Sequence, residues 1–136
     1  MEPEKNLTIQ QVATATELSE HTLRYYERIG LIHPIERAGS GHRRYRESDV
    51  WWIEFLMKLR NTGMSIQQMQ QYSILQRQGD STLPERVKML KAHYEQVQEQ
   101  LECLTEHQKL ICHKIEYYSS VIADAQHQPD AQAEPS

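Results

Sequence analysis

The chain has 136 residues, 38% hydrophobic and 25% charged, with a net charge of -4 and a mean hydropathy of -0.75. That composition supports one small domain with a limited core, and the longest uninterrupted apolar stretches, such as Val50–Trp51–Trp52–Ile53, exclude a bilayer span. The opening Met1–Glu2–Pro3–Glu4–Lys5 lacks an apolar h-region, and Cys103 and Cys112 make no disulfide framework, so a cytoplasmic protein without a secretory signal or a membrane partner is expected.

The charge is unevenly distributed. Residues 1–75 are neutral, with nine Lys/Arg against nine Asp/Glu, and residues 76–136 carry the whole deficit, six against ten. Within residues 21–46 stand six arginines (24, 28, 37, 43, 44 and 46) against only Glu27 and Glu36. Such a local excess is the footprint of a phosphate-facing patch, although a solvated arginine-rich face has the same composition. All five glycines fall between Gly30 and Gly79, and none, nor any proline, lies between Pro84 and Pro129. A turn-rich part therefore precedes a long unbroken one.

Thr8–Ile9–Gln10–Gln11 is a capping box that predicts a helix from Ile9 with Ile9, Val12 and Ala13 inward. Ser19 is a second N-cap; its helix runs through Leu23 and Tyr26 to Ile29, and Gly30 supplies a left-handed stop. Only a few residues separate the two helices, with Ala13 at their crossing and Glu17 in the turn where glycine fits best. Gly39 and Gly41 around Ser40, between short β-compatible runs, predict a hairpin over about 33–46. A third helix follows Ser48, with Val50, Ile53, Leu56 and Met57 inward, and stops at Gly63. Ser65–x–x–Gln68 is a third capping box with Met64 and Met69 at staple spacing, opening a helix that carries Ile66, Met69, Tyr72 and Ile74 to about Arg77. The order helix, helix, hairpin, helix, helix is a winged helix-turn-helix, expected over residues 1–80.

The chemistry of this head points to nucleic acid. Thr22, Arg24 and Tyr25 lie in the N-terminal half of the second helix, the end that enters a major groove. An arginine fork can bridge guanine O6 and N7 or clamp a phosphate, and a tyrosine offers a ring and a hydroxyl. Tyr26, next to Leu23, reads either as a further contact or as core. Arg43 and Arg44 at the hairpin tip are placed to reach flanking phosphates or the minor groove. Trp51 and Trp52 read as core and inter-domain packing rather than base-stacking groups. No catalytic constellation is visible, and no cofactor is expected.

The run Thr22–Leu23–Arg24–Tyr25–Tyr26–Glu27–Arg28–Ile29–Gly30–Leu31–Ile32–His33–Pro34, the wing Gly41–His42–Arg43–Arg44–Tyr45 and the run Leu59–Arg60–Asn61–Thr62–Gly63–Met64–Ser65 together resemble the MerR family of bacterial transcription regulators over residues 7–78. The resemblance implies DNA contacts from Thr22, Arg24, Tyr25 and Tyr26, from His42, Arg43, Arg44 and Tyr45 in the wing, and from Arg60 in the third helix. His42 departs from the family's usual tyrosine. The run Trp52–Met64 and the stretch Lys114–Ile115–Glu116–Tyr117–Tyr118 are similar to the aldehyde-responsive branch, many of whose members carry a cysteine just before the Leu–Arg pair. Lys58 holds that place here, and a lysine cannot do the work of a thiol.

The last third reads as one long helix. Thr82–Leu83–Pro84–Glu85 has the pattern of a fourth capping box, with proline harmless in the first turn. With Val87 as position a, the a and d positions take Val87, Leu90, Tyr94, Val97, Leu101, Leu104, Ile111, Ile115, Tyr118 and Ile122, and only Gln108 breaks the seam. No second long helix in the chain covers this stripe, so a homodimer is expected over residues 81–125, with a disordered tail over 126–136 and no drug-binding domain after Ala125. The family resemblance implies an antiparallel pair that sets two heads on a pseudo-palindromic promoter element of double-stranded DNA, which the dimer distorts, with RNA polymerase as a further partner.

Two rival readings stay open. One is a coiled-coil interaction protein whose head binds protein. The other is a metal or redox sensor using Cys103 and Cys112. These two are nine residues apart, on opposite faces of a helix, and cannot share one ion within a chain, whereas Cys103 and His107 share a face as only two ligands.

Overall fold

The computed structural model describes residues 6–39 and 41–127, and orders them as α1 (Ile9–Thr16), α2 (Glu20–Arg28), α3 (Glu47–Asn61), α4 (Ile66–Gln78), a 3-10 turn (Asp80–Thr82) and α5 (Leu83–His127). The chain divides into a compact unit ending at Tyr94 and a second unit beginning at Glu95.

Local chemistry sets each helix end in the first unit. Thr8 Oγ1 accepts the Gln11 N–H at 3.1 Å while Gln11 Oε1 accepts the Thr8 N–H at 2.9 Å, so the reciprocal cap starts α1 where the sequence placed it. Glu17 closes α1 in the left-handed region, at φ 59° and ψ 29°. Two residues later Ser19 Oγ accepts the Thr22 N–H at 3.0 Å and opens α2. At the other end of α2, Gly30 takes φ 85°. Its N–H donates to Glu27 O at 3.2 Å and that of Leu31 to Tyr26 O at 2.9 Å, the paired bonds of a Schellman stop. Ser65 and Gln68 cap α4 reciprocally, and Met64 and Met69 are both buried beside the cap.

The core of this unit joins one face of each short helix: Val12 from α1, Leu23 and Tyr26 from α2, Ile53 and Leu56 from α3, and Met69 from α4, with Leu31, Ile32 and Ile35 from the segment after α2. Leu23, Leu31, Ile32, Ile53, Leu56 and Met69 are each fully buried. Burying one such side chain contributes about 1.5–3 kcal/mol, so these contacts, and not helix propensity, hold helices of eight and nine residues in place.

Several expectations are corrected. The expected hairpin forms at the wing but without regular strands: the described residues show isolated antiparallel bridges, Arg37 with Arg43 across the hairpin and Leu7 with Tyr45. Its arms are too short for a ladder and Pro34 removes a donor, so the turn is closed by Gly41 N–H on Ala38 O, Ala38 N–H on His42 O and Arg44 N–H on Glu36 O, each at 2.8 Å. Ser40 lies outside the described residues. Helix α3 starts at Glu47, ahead of Ser48, because the Asp49 carboxylate accepts the Arg46 N–H at 2.8 Å. Ile74 is half-exposed instead of facing the core, and Ser73 faces inward beside Tyr72, which is buried as expected. Thr82 does not cap α5: its hydroxyl serves the carbonyls of Leu75 at 2.5 Å and Gly79 at 2.8 Å, and the 3-10 turn leads into the helix instead. Trp51 is 67% exposed, whereas Trp52 is packed, with Nε1 donating to Leu31 O at 2.9 Å and the ring stacked on Tyr72 at 5.6 Å.

The first unit also reaches beyond the expected boundary at residue 80. Leu90 packs against the core, and buried His93 has Nε2 2.7 Å from Thr62 Oγ1, so the opening turns of α5 belong to the head. The second unit is the continuation of α5 from Glu95 to His127, two residues past the expected end at Ala125. Along it Leu101, Leu104, Ile111, Ile115, Tyr118 and Ile122 are 44–64% exposed. The expected tail residues 128–136 lie outside the described residues.

Glu17 holds a backbone conformation that costs a residue with a Cβ about 1 kcal/mol more than it costs glycine. Glu17→Gly is expected to stabilise the fold by about 0.5–1 kcal/mol, read as a rise of a few degrees in Tm, and a fall would contradict that cost.

Candidate nucleic-acid interface

A cleft of about 660 Å³ opens in the first unit where the start of α1, the N-terminal half of α2 and the wing meet. Asn6, Thr8 and Gln10 line it from the α1 side, Glu20 and Arg24 from α2, and Gly41, His42, Arg43 and Arg44 from the wing. Three arginines against one glutamate give its lining a cationic character. These residues are brought together by two ties. The Leu7–Tyr45 bridge, with N–H to O distances of 2.7 and 2.9 Å, fastens the segment before α1 to the outgoing arm of the wing. Arg43 Nε donates to Glu27 Oε1 at 2.9 Å, with both side chains more than four-fifths buried, and so fastens the wing to α2.

The cationic groups differ in availability. Arg24 is about half exposed and its contact with Glu20 is 3.4 Å long. A surface i,i+4 pair of that kind is worth only about 0.3–0.5 kcal/mol, so a stronger anion displaces the glutamate. Arg44 and His42 are exposed in the wing. Arg43, in contrast, is committed to Glu27; it sits in the Arg37 bridge instead of at a free tip and acts as a brace. Thr22 is half-buried, and its hydroxyl accepts from Ser19 Oγ at 2.8 Å. Tyr25 is 42% exposed, with the Arg28 guanidinium 5.7 Å from its ring centroid, a cation–π pair that extends the cationic face along α2. Arg60 is exposed in the last turn of α3 but does not line the cleft.

Two expected contacts are corrected. Tyr26 is 9% exposed and Tyr45 is fully buried, and both belong to the core. Tyr26 follows Leu23 by one helical turn and therefore shares its inward face. Tyr45 is drawn in by the bridge to Leu7, and its hydroxyl has no hydrogen-bond partner among the described residues. Burial, reinforced by the nearby Glu27 carboxylate, raises the Tyr45 pKa above that of a free phenol. The Arg43–Glu27 brace has no local signal, because partners sixteen residues apart have no shared period. The Arg28–Tyr25 pair was accessible at i,i+3 spacing.

In the second unit Cys103 Sγ lies 3.6 Å from His107 Nε2 and Cys112 Sγ lies 3.6 Å from Glu116 Oε1. These are separate two-residue pairs, and no group of three or more metal-capable side chains occurs among the described residues. No helix among those residues is long and apolar enough to cross a membrane.

Two family models match overlapping parts of the chain. Residues 7–73 match the MerR HTH family regulatory protein model, and residues 50–111 match the model described as MerR, DNA binding. The HTH-type transcriptional regulator AdhR of Bacillus subtilis is 46% identical over 84 residues, which is 62% of this chain and 60% of AdhR. The chain spans about half to three fifths of the length of the Bacillus subtilis relatives it matches. Among solved structures, a MerR family transcriptional regulator from Listeria monocytogenes superposes with a TM-score of 0.83 at 35% identity, covering 89% of this chain and 92% of that one. HiNmlR, a MerR family regulator lacking the sensor domain and solved bound to promoter DNA, superposes with a TM-score of 0.80 at 28% identity, covering 88% and 94%.

Because the buried Tyr45 hydroxyl has no partner, Tyr45→Phe is expected to hold or raise stability, by up to about 1 kcal/mol. The raised pKa adds a pH signature. Above pH 10 the unfolded phenol ionises before the folded one, so the parent chain loses stability as pH climbs through 10 and the variant loses less. Denaturant melts at neutral and alkaline pH check both, and a marked loss at neutral pH would show that the hydroxyl has a partner.

Proposed function

The chain belongs to the MerR family of helix-turn-helix regulators, and from that premise we propose that it is a DNA-binding transcriptional regulator acting as a homodimer on a promoter. The observation that carries this reading is the cationic cleft between α2 and the wing, where weakly engaged Arg24 and exposed Arg44 and His42 face the same space. A recognition helix held in a major groove would set Arg24 and Thr22 against base edges, and the wing would set Arg44 and His42 against the flanking phosphates. Tyr25 and Arg28 extend the same face, and Arg60 is a phosphate contact further along the duplex. HiNmlR was solved on promoter DNA, and its likeness to this chain supports that placement.

The exposed stripe of the second unit supports the homodimer. Leu101, Leu104, Ile111, Ile115 and Ile122 recur at coiled-coil spacing with Val87, Tyr94, Val97 and Tyr118, whereas Leu90, expected in the same seam, is packed on the core of the first unit and leaves it. Six residues of that size at 44–64% exposure on one helix are covered most economically by a second copy. An antiparallel pairing would present two heads to half-sites about one helical turn (~34–36 Å) or a multiple apart, and fitting both would distort the duplex. The reading makes RNA polymerase a further partner, places the protein in the bacterial cytoplasm and assigns it no catalytic role. Regulation does not run through a thiol on α3, where Lys58 stands.

Arg24→Ala is expected to weaken binding to a duplex selected by the parent chain at least ~10-fold, the loss of one good base or phosphate contact, while leaving the dimer intact. Leu104→Glu is expected to do the reverse, dissociating the dimer and weakening DNA binding only through it. Fluorescence anisotropy and sedimentation read the two effects separately. Undiminished binding by Arg24→Ala would remove α2 from the interface.

A further inference from the structure

The Schellman stop takes the carbonyls of Tyr26 and Glu27 in the last turn of α2, but those of Ile29, Gly30 and Leu31, just past the helix, would ordinarily be left to water. Each is taken instead by a side chain from α3 or α4. Gln70 Nε2 donates to Ile29 O at 2.8 Å, Arg77 Nη2 to Gly30 O at 2.8 Å, and Ser73 Oγ to Leu31 O at 3.1 Å, an acceptor shared with Trp52 Nε1 at 2.9 Å. Positions 70, 73 and 77 fall on one face of α4, so a single helix face grips three consecutive carbonyls. The grip is braced: Arg77 Nε also reaches Ser73 O at 3.4 Å, and the Trp52 ring stacks on Tyr72 within 9° of parallel. A guanidinium just past a helix C-terminus also meets the negative end of the helix dipole.

We propose that Gln70, Ser73 and Arg77 are positioning residues for DNA recognition, clamping the C-terminal end of α2 so that its exposed face meets the base edges in one fixed orientation. The proposal rests on the reading of α2 as the recognition helix. None of the three lines the cleft, so their effect on the duplex passes through α2. The physical need is direct. A nine-residue helix fixed to the core mainly through Leu23 and Tyr26 can still tilt, and a base contact fails for a displacement that a phosphate contact tolerates. Loosening the clamp therefore lowers discrimination between sequences and leaves the electrostatic attraction to any duplex as it was.

The test uses the full chain and two duplexes: one selected by the parent protein from a random-sequence library, and one of scrambled sequence. Arg77→Ala and Gln70→Ala are expected to reduce the ratio of selected to scrambled affinity roughly tenfold, with the slope of log affinity against log salt unchanged and helical circular dichroism retained at the assay temperature. Arg77→Lys, which keeps a cation within reach of Gly30 O, is expected to recover part of the ratio. An unchanged ratio in both alanine variants overturns the proposal. So does an equal loss on both duplexes with a salt slope shallower by about one, because that marks a direct phosphate contact. A parent chain that prefers no selected duplex overturns the recognition-helix reading itself, and is told apart from the other results by needing no variant.

Discussion

A helix of nine residues such as α2 cannot hold its own shape in water, and most of this molecule's first unit follows from that constraint. Leu23 and Tyr26 fix one face of α2 into the core, Ser19 fixes its start, and Gly30 with the Leu31 N–H fixes its end. The wing is held to the same helix by Arg43 on Glu27. What remains outside is the set of groups that can be spent on a ligand: Arg24 on a weak surface pair, Arg44 and His42 in the wing, and Tyr25 under Arg28. Arg43, mostly buried against Glu27, acts as a brace, whereas Arg24 is held only by a long surface pair with Glu20.

The two units divide the charge as they divide the work. The six arginines of residues 21–46 lie in the first unit, and residues 95–136, the second, hold eight Asp/Glu against two Lys/Arg. A polyanion is drawn to the one and kept from the other. The second unit's helix exposes an apolar stripe too long for a monomer surface, which is the other half of the functional reading.

Much of this was legible in the sequence because the signals are local. The Thr8 and Ser65 capping boxes, the Ser19 cap, the Gly30 stop and the Met64–Met69 staple depend on residues at most five apart, and each appears where its pattern put it. The failures come where a distant contact overrides a local one. Thr82 has the spacing of a cap, yet its hydroxyl is drawn to the carbonyls of Leu75 and Gly79. Tyr45 sits in a wing motif that suggests exposure, yet the bridge to Leu7 buries it. Trp51 and Trp52 are neighbours of the same type, and only the one that reaches Leu31 O and Tyr72 is packed. At the candidate site, residue types were readable, but which arginine was free and which was committed was not, since Glu27 lies sixteen positions from Arg43.

Hydrogen exchange with and without a selected duplex tests the central claim most directly, because it reports where the nucleic acid sits without altering a residue. If α2 and the wing form the interface, amides across residues 19–28 and 41–46 exchange more slowly in the complex, while those of the helix beyond Glu95 are unchanged at a protein concentration that keeps the dimer formed. Slowing confined to the acidic helix, or none in α2, would contradict it.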